Sequence, residues 1–285
     1  MIDRLRKFAP LFLLIAGLLL LVCLIYFLAT RESGKLTVAF MDIGQGDSIF
    51  IESPTGVQVL VDGGPDGSVV RQLGKQMSLF DRSIDALILT NPDQDHFAGF
   101  VDVLDRYNVR AVYESGTYKD SSSYKTLEQK VADEKAEHAL LRRGQTVDLG
   151  GGAYLRILFP DRDVSGVDSN PGSLIMQLVY GETEVMLMGD SIISVENFIS
   201  DLDGTGLQSD ILKVGHHGSR TSTGEKLLEN VKPAVAIISA GCDNSYGHPH
   251  RETLDRLASA KVPYLWTCKE GTVSFESNGK EWVRQ

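Results

Sequence analysis

Cysteine is nearly missing from this chain of 285 residues, with three copies. One of them, Cys23, lies in an apolar run, so only Cys242 and Cys268 remain for the rest of the chain and at most one disulfide can form there. Basic charge is the second shortage. The chain carries 28 Lys and Arg against 38 Asp and Glu, of which the first 35 residues hold five and two. Residues 36–285 therefore have 23 against 36, a balance of −13. Phosphate affinity comes mostly from Lys and Arg, which excludes a general nucleic-acid-binding surface. An anionic substrate has to be drawn in locally, and a bound cation is the obvious agent. No internal repeat is present, and 42% hydrophobic with 23% charged residues are the proportions of an ordinary folded domain.

Charge is also absent locally. Residues 8–30 read FAPLFLLIAGLLLLVCLIYFLAT, 23 positions without a charged side chain. That length suits a helix across a hydrocarbon core of roughly 30 Å. A cleaved signal peptide has a shorter apolar region, about 7–15 residues, and a small-x-small cleavage site, which Leu28-Ala29-Thr30 matches poorly. Val22 is not the small residue that lipid attachment at Cys23 would want. The run is therefore expected to be a transmembrane anchor. Arg4, Arg6 and Lys7 precede it, and Arg31 and Lys35, with Glu32 between them, follow it. The positive-inside bias then places the N-terminus in the cytoplasm and everything beyond Gly34 outside. Expected domains are 1–35, a cytoplasmic stub, anchor and short linker, and 36–285, one catalytic domain.

Beyond the anchor, β-type runs are expected at 36–40, 48–52, 57–61, 86–90 and 109–113, with helices at 68–79, 98–107 and 123–136. The second half repeats the mixture. Strands are expected at 153–159, 174–179, 184–188, 211–214, 234–239, 264–266 and 272–275, and helices from about 193 and over 226–231 and 252–260. Two batches of strands, each with helices, predict an α+β domain of two packed sheets covered outside by helices.

Polar motifs follow the apolar strands. Asn91-Pro92-Asp93-Gln94-Asp95-His96 packs three potential ligands into six residues after the run at 86–90, and carboxylate and imidazole suit zinc or manganese. A polar turn with local backbone bonds is the plainer alternative for that segment alone. Gly189-Asp190 follows another apolar run, and by itself reads more readily as a turn. His216-His217-Gly218-Ser219 offers two imidazoles, one suited to a metal and one to proton transfer, beside a glycine that permits close approach. His248 lies in a loop after 234–239, where alone it would pass for a surface residue. Five of the six histidines fall in these three loops, which scattered surface residues seldom do.

The ordered blocks DIGQGD (42–47), VDGG (61–64), LTNPDQDHFAG (89–99), MGD (188–190), LKVGHHGS (212–219) and YGHP (246–249) resemble the metallo-β-lactamase superfamily. Within it they look most like the hydrolase domain of ComEC-type DNA-uptake proteins and their stand-alone relatives. The resemblance covers the chain from about Leu36 to its end, and implies an αββα sandwich with its site at the open edge between the sheets. It implies metal ligation by Asn91, Asp93, Asp95, His96, Asp190 and His216. Asp93 belongs to a first site, Asp95 with His96 to a second, and Asp190 bridges. His217 and His248 are left for proton transfer or oxyanion stabilisation, and Asp42, Asp47 and Asp62 support the loops. Asn170 stands where many members carry a further His. Asn91 departs from the family's imidazole, so the first site is expected to bind its ion more weakly, and one or two Zn²⁺ or Mn²⁺ ions per chain remain open.

A divalent ion lowers the pKa of bound water from 15.7 towards roughly 7, and it or a second ion about 3.5–4 Å away neutralises developing charge. Asp95, His217 and His248 are the expected catalytic residues. The resemblance points to a phosphodiester or another small anionic substrate, DNA among them, with Lys213, Arg220 and Lys226 as the local cations, in preference to a β-lactam or thioester. The competing readings are a non-catalytic surface module that kept the fold, and a partner protein in DNA uptake.

Overall fold

The computed structural model describes residues 2–29 and 34–285, with side chains in the first helix described from 11 to 24. It divides into two units, residues 1–34 and 35–285. The first is a helix, Ile2–Ala29, whose described apolar side chains are exposed, Phe12 at 77% and Leu20 at 72%. Among the described residues no helix is long and apolar enough to cross a membrane. The transmembrane helix expected over 8–30 is therefore not supported, since the described side chains cover a shorter stretch than the roughly 20 residues a span needs. The charges that set its orientation, Arg4, Arg6, Lys7, Arg31 and Glu32, lie outside the described side chains.

The second unit is an αββα sandwich of two sheets. Across the first, the strands run in the order Trp282–Arg284, Val273–Ser277, Leu36–Phe40, Ile49–Glu52, Gln58–Val61, Ser83–Leu89, Asn108–Glu114 and Glu137–Leu140. The second runs Tyr264–Trp266, Val235–Ile238, Ile211–Lys213, Thr183–Leu187, Ile175–Tyr180, Ala153–Phe159 and Thr146–Gly150. Period-two alternation explains the layering. Leu36, Val38 and Phe40 pack between the sheets, whereas Ala39 and Met41 join the cluster under the outer helices. In the second sheet Val185 and Leu187 face inward while Met186 and Met188 face the helices on the other side. Both faces are covered, so the central strands read as continuous apolar runs.

Each sheet has a parallel half. Gln58–Val61, Ser83–Leu89, Asn108–Glu114 and Glu137–Leu140 are parallel in the first. Thr183–Leu187, Ile211–Lys213, Val235–Ile238 and Tyr264–Trp266 are parallel in the second. Parallel strands end at one edge, and ligands of such sheets bind outside the carboxyl ends. Every motif singled out above from 61 onward leaves a strand at that edge.

Three strands were not expected, Glu137–Leu140, Thr146–Gly150 and Trp282–Arg284. All are short, lie at or next to a sheet edge, and are largely exposed, so they carry little apolar alternation to signal them. Cys242 and Cys268 are disulfide-bonded across 26 positions, with Cα atoms 5.5 Å apart. Closing a loop of that size contributes about 3–4 kcal/mol in the chain-entropy description, and it ties the loop bearing His248 to the helix Thr267–Glu270.

Candidate metal centre

The strand Ser83–Leu89 delivers Thr90 and Asn91 to the sheet edge, and the next helix begins at Gln94, earlier than expected. Asp95 and His96 thus sit on its first turn, where the amide dipoles favour a carboxylate. Gly46 holds the 42–47 loop against this turn. Its φ is +132°, and a Cβ there would stand 2.3 Å from the Asp95 carbonyl oxygen. The Asp47 N–H donates to that same oxygen at 3.2 Å.

His96 is fully buried. Its Nδ1 lies 2.8 Å from Asp62 Oδ2, and Asp62 is itself fixed by the Thr90 N–H at 2.8 Å and the Thr90 hydroxyl at 2.7 Å. An imidazole donating through Nδ1 to a carboxylate presents the Nε2 lone pair. That Nε2 lies 3.1 Å from Asp190 Oδ2.

His217 is arranged the same way. Its Nδ1 lies 3.0 Å from the Ser239 carbonyl oxygen and 3.2 Å from Asp47 Oδ1. Its Nε2 lies 3.2 Å from Asp95 Oδ2 and 3.5 Å from Asp190 Oδ1. Both residues of the pair His216-His217 have positive φ, 48° and 54°, a conformation that costs of order 1–3 kcal/mol per residue and persists where packing over-determines it. His216 stands at the side of the cluster, partly exposed, with Nε2 3.8 Å from Asp190 Oδ2. His217 is thus buried among the carboxylates, whereas His216 borders the cavity.

The cluster fits a divalent cation. Asp95, His96 and His217 present donor atoms within 4.8 Å of one another, as do Asp47, Asp190 and His217. His96 Nε2, His217 Nε2 and Asp190 Oδ1 are buried without a hydrogen-bond partner, although buried polar atoms are nearly always partnered. Asp47, Asp62, Asp95 and Asp190 outnumber Lys213, the one buried ammonium among the described residues, which leaves room for added positive charge.

Electrostatics follow the same pattern. Burial works to lower the pKa of His217, but Asp190 and Asp47 outweigh it and raise it to about 10. His96 is likewise raised well above the usual range by Asp190 and Asp62 against its burial. Burial would raise Asp190, yet His96 and His217 hold it far below the usual carboxylate range. Asp95 also lies low, its burial outweighed chiefly by the His217 ring 3.2 Å away and then by His96. Burial first, then the neighbouring imidazoles, lower His248 to about 4, so it is neutral at physiological pH.

A cavity of about 580 Å³ opens over the cluster, lined by Asp93, Asp95, Lys119, Asp190, His216, His217, Tyr246 and His248 among others. Asn91 does not reach it. It is fully buried, and its amide oxygen accepts from the Asp93 N–H at 2.9 Å. Asp93 lines the cavity, but its carboxylate is engaged by Lys119 and, at 2.6 Å, by the Ser169 hydroxyl. Asp42 supports its own loop, accepting from the Gly44 N–H at 3.4 Å. Asn170 Oδ1 is buried without a partner.

Of the expected substrate cations, Lys213 is buried against Asp47 at 2.8 Å, Arg220 faces Glu252 at 3.6 Å, and Lys226 pairs with Asp201. None lines the cavity. Lys119 does, and the sequence pattern did not single it out, although its loop follows the parallel strand Asn108–Glu114 to the same edge. Glu196 also escaped notice: it is buried and accepts from the N–H groups of Thr223 and Gly224 at 2.6 and 2.7 Å, bracing the segment that follows His216 and His217.

Comparison with known proteins places this geometry. The family described as "Metallo-beta-lactamase superfamily" matches residues 41–241. ComE operon protein 3 of Bacillus subtilis is 30% identical over 277 residues, covering 91% of this chain and 35% of that protein. Recombination protein 2 of Haemophilus influenzae is 30% identical over 262 residues, covering 90% and 31%. Competence protein ComA of Neisseria gonorrhoeae is 26% identical over 242 residues, covering 85% and 32%. The chain spans about a third of the length of these relatives. Among solved structures, the metallo-beta-lactamase fold protein YhfI from Bacillus subtilis aligns with TM-score 0.53 at 10% identity, covering 81% of this chain and 95% of that one. CmlA, a diiron beta-hydroxylase from Streptomyces venezuelae, aligns with TM-score 0.54 at 15% identity, covering 88% and 54%. Those two likenesses show the fold alone.

Proposed function

The chain belongs to the metallo-beta-lactamase superfamily, and from that premise we propose that it is a metal-dependent hydrolase cleaving phosphodiester bonds, DNA among its substrates, on the outer side of a membrane. The observation that carries the hydrolase reading is the convergence of unpartnered His96 Nε2 and His217 Nε2 with Asp95, and of both imidazoles with Asp190. A divalent ion such as Zn²⁺ or Mn²⁺ held there would supply activated water and stabilise anionic charge. Asp62 and the Ser239 carbonyl fix the two imidazoles by their Nδ1 atoms, so the rings enter the reaction already oriented. His248, neutral and lining the cavity, is suited to donate a hydrogen bond to a developing oxyanion, as neutral imidazoles do elsewhere. His216, whose pKa burial lowers, borders the same space and is the nearer candidate for proton transfer.

The phosphodiester assignment is supported by the competence relatives and by an ammonium, Lys119, on the cavity wall. The assignment to the outer side is supported by the Cys242–Cys268 disulfide, which suits an oxidising compartment.

The purified chain, assayed with bis-p-nitrophenyl phosphate and Mn²⁺ or Zn²⁺, is expected to hydrolyse the diester in a chelator-sensitive manner. Asp95→Ala and His217→Ala are each expected to lose that activity. A protein that takes up no metal and leaves the diester intact would instead be a binding module that kept the fold.

A further inference from the structure

Two parts of the site are built differently. The buried cluster leaves donors unpartnered. The two residues that the resemblance assigns to a first ion, Asn91 and Asp93, are already committed. Asn91 turns its oxygen to the Asp93 N–H and its amide nitrogen towards Ser173 Oγ at 3.5 Å. Asp93 has one carboxylate oxygen on the Ser169 hydroxyl and the other on the Lys119 ammonium. Among the described residues, no group of acidic, His and Cys side chains close enough to share an ion includes Asp93. A two-metal site needs a second ion about 3.5–4 Å from the first. Here that ion would meet an amide turned inward and a carboxylate already neutralised.

The lysine that neutralises Asp93 is not buried with it. Lys119 is 52% exposed and lines the same cavity as Asp95, Asp190 and His217. An ammonium is a compact charge with three donors, so pairing with Asp93 leaves it donors for an incoming anionic oxygen. Asp93 and Ser169 hold the charge at the wall. Lys213, Arg220 and Lys226 are tied to acidic partners that do not line the cavity, and among the described residues Lys119 is the Lys or Arg that does line it, which makes it the cation a substrate would meet.

We infer that this chain works with a single divalent ion, and that Lys119 supplies the second positive charge by binding an anionic oxygen of the substrate beside Asp93. The inference rests on the reading of the chain as a metal-dependent hydrolase of anionic substrates. It ties Asn91 and Lys119 together: where the donor at position 91 is turned away from the cavity, a protein cation stands in the opposing charge's place.

Titration calorimetry on the chain and its Lys119→Met and Lys119→Arg variants tests this, first with Mn²⁺ and then with inorganic phosphate on the Mn²⁺-loaded proteins. One ion per chain is expected in all three. Phosphate affinity should fall roughly tenfold or more in Lys119→Met, the range for losing a charge-assisted hydrogen bond, and largely recover in Lys119→Arg. Two ions in the unaltered chain, or unchanged phosphate affinity in Lys119→Met, would overturn the inference. One ion with Lys119-dependent phosphate binding, but no diester hydrolysis, would support it while removing the phosphodiester assignment.

Discussion

Lys213→Met is expected to destabilise the unit from Lys35 onward by about 3–5 kcal/mol, the range for removing one partner of a buried ion pair. Lys213 is 0% exposed and Asp47 1%. The ammonium lies 2.8 Å from Asp47 Oδ1 and donates to the Val214 carbonyl oxygen at 2.9 Å. Methionine fills similar space but leaves the Asp47 carboxylate with His217 and His96 as its cationic neighbours. Burial acts to raise the Asp47 pKa, and Lys213 with His217 outweighs it, holding the group at about 2. A depressed carboxylate pKa contributes stability above the unfolded value, here 3.8, and loses it as pH falls through about 2. Without Lys213 that loss should begin at higher pH. Urea denaturation at pH 7 and pH 5 measures both effects. A loss under about 1 kcal/mol at both pH values would mean that the pair is not buried as described, given the usual cost of stripping such a pair.

Asp190→Ala is expected to lower both metal affinity and hydrolysis by well over a hundredfold. Removing an outer partner of a ligand already costs 10–100-fold, and Asp190 faces both His96 and His217 directly. Its loss also changes the proton balance of the site. With no ion, the raised pKa values of His96 and His217 mean that imidazolium–carboxylate pairs contribute stability. That stability is fully present below the ordinary imidazole value of 6.5 and lost, for His217, as pH rises through about 10. An ion must displace those protons, so its affinity should fall as pH is lowered, by roughly tenfold per unit for each proton displaced. Chelator competition between pH 6 and 8 reads this slope. A flat profile would mean that neither imidazole binds the ion.

The sandwich was legible because most strands are buried on both faces and read as apolar runs closed by polar blocks. The helix start at Gln94 was not, since its first turn is polar and hides the apolar period that begins at Phe97. Asp93, a standard start signal by type, caps nothing with its side chain, because its carboxylate serves Lys119 and Ser169. Which member of His216-His217 enters the cluster cannot be read from two adjacent letters. Two successive left-handed residues decide it. Lys119 sits in no recognisable motif, and only the parallel pairing of its strand with Ser83–Leu89 carries its loop to the site. Asn91 was visible as a departure, but its inward turn depends on the hydrogen bond to the Asp93 backbone.

Anomalous diffraction from crystals grown with Zn²⁺ or Mn²⁺ tests the centre most directly. The account predicts one strong peak, at about 2.0–2.2 Å from Asp95 Oδ2, His96 Nε2, His217 Nε2 and an Asp190 oxygen. A peak held by Asn91 and Asp93 instead, or none between those four side chains, would contradict it.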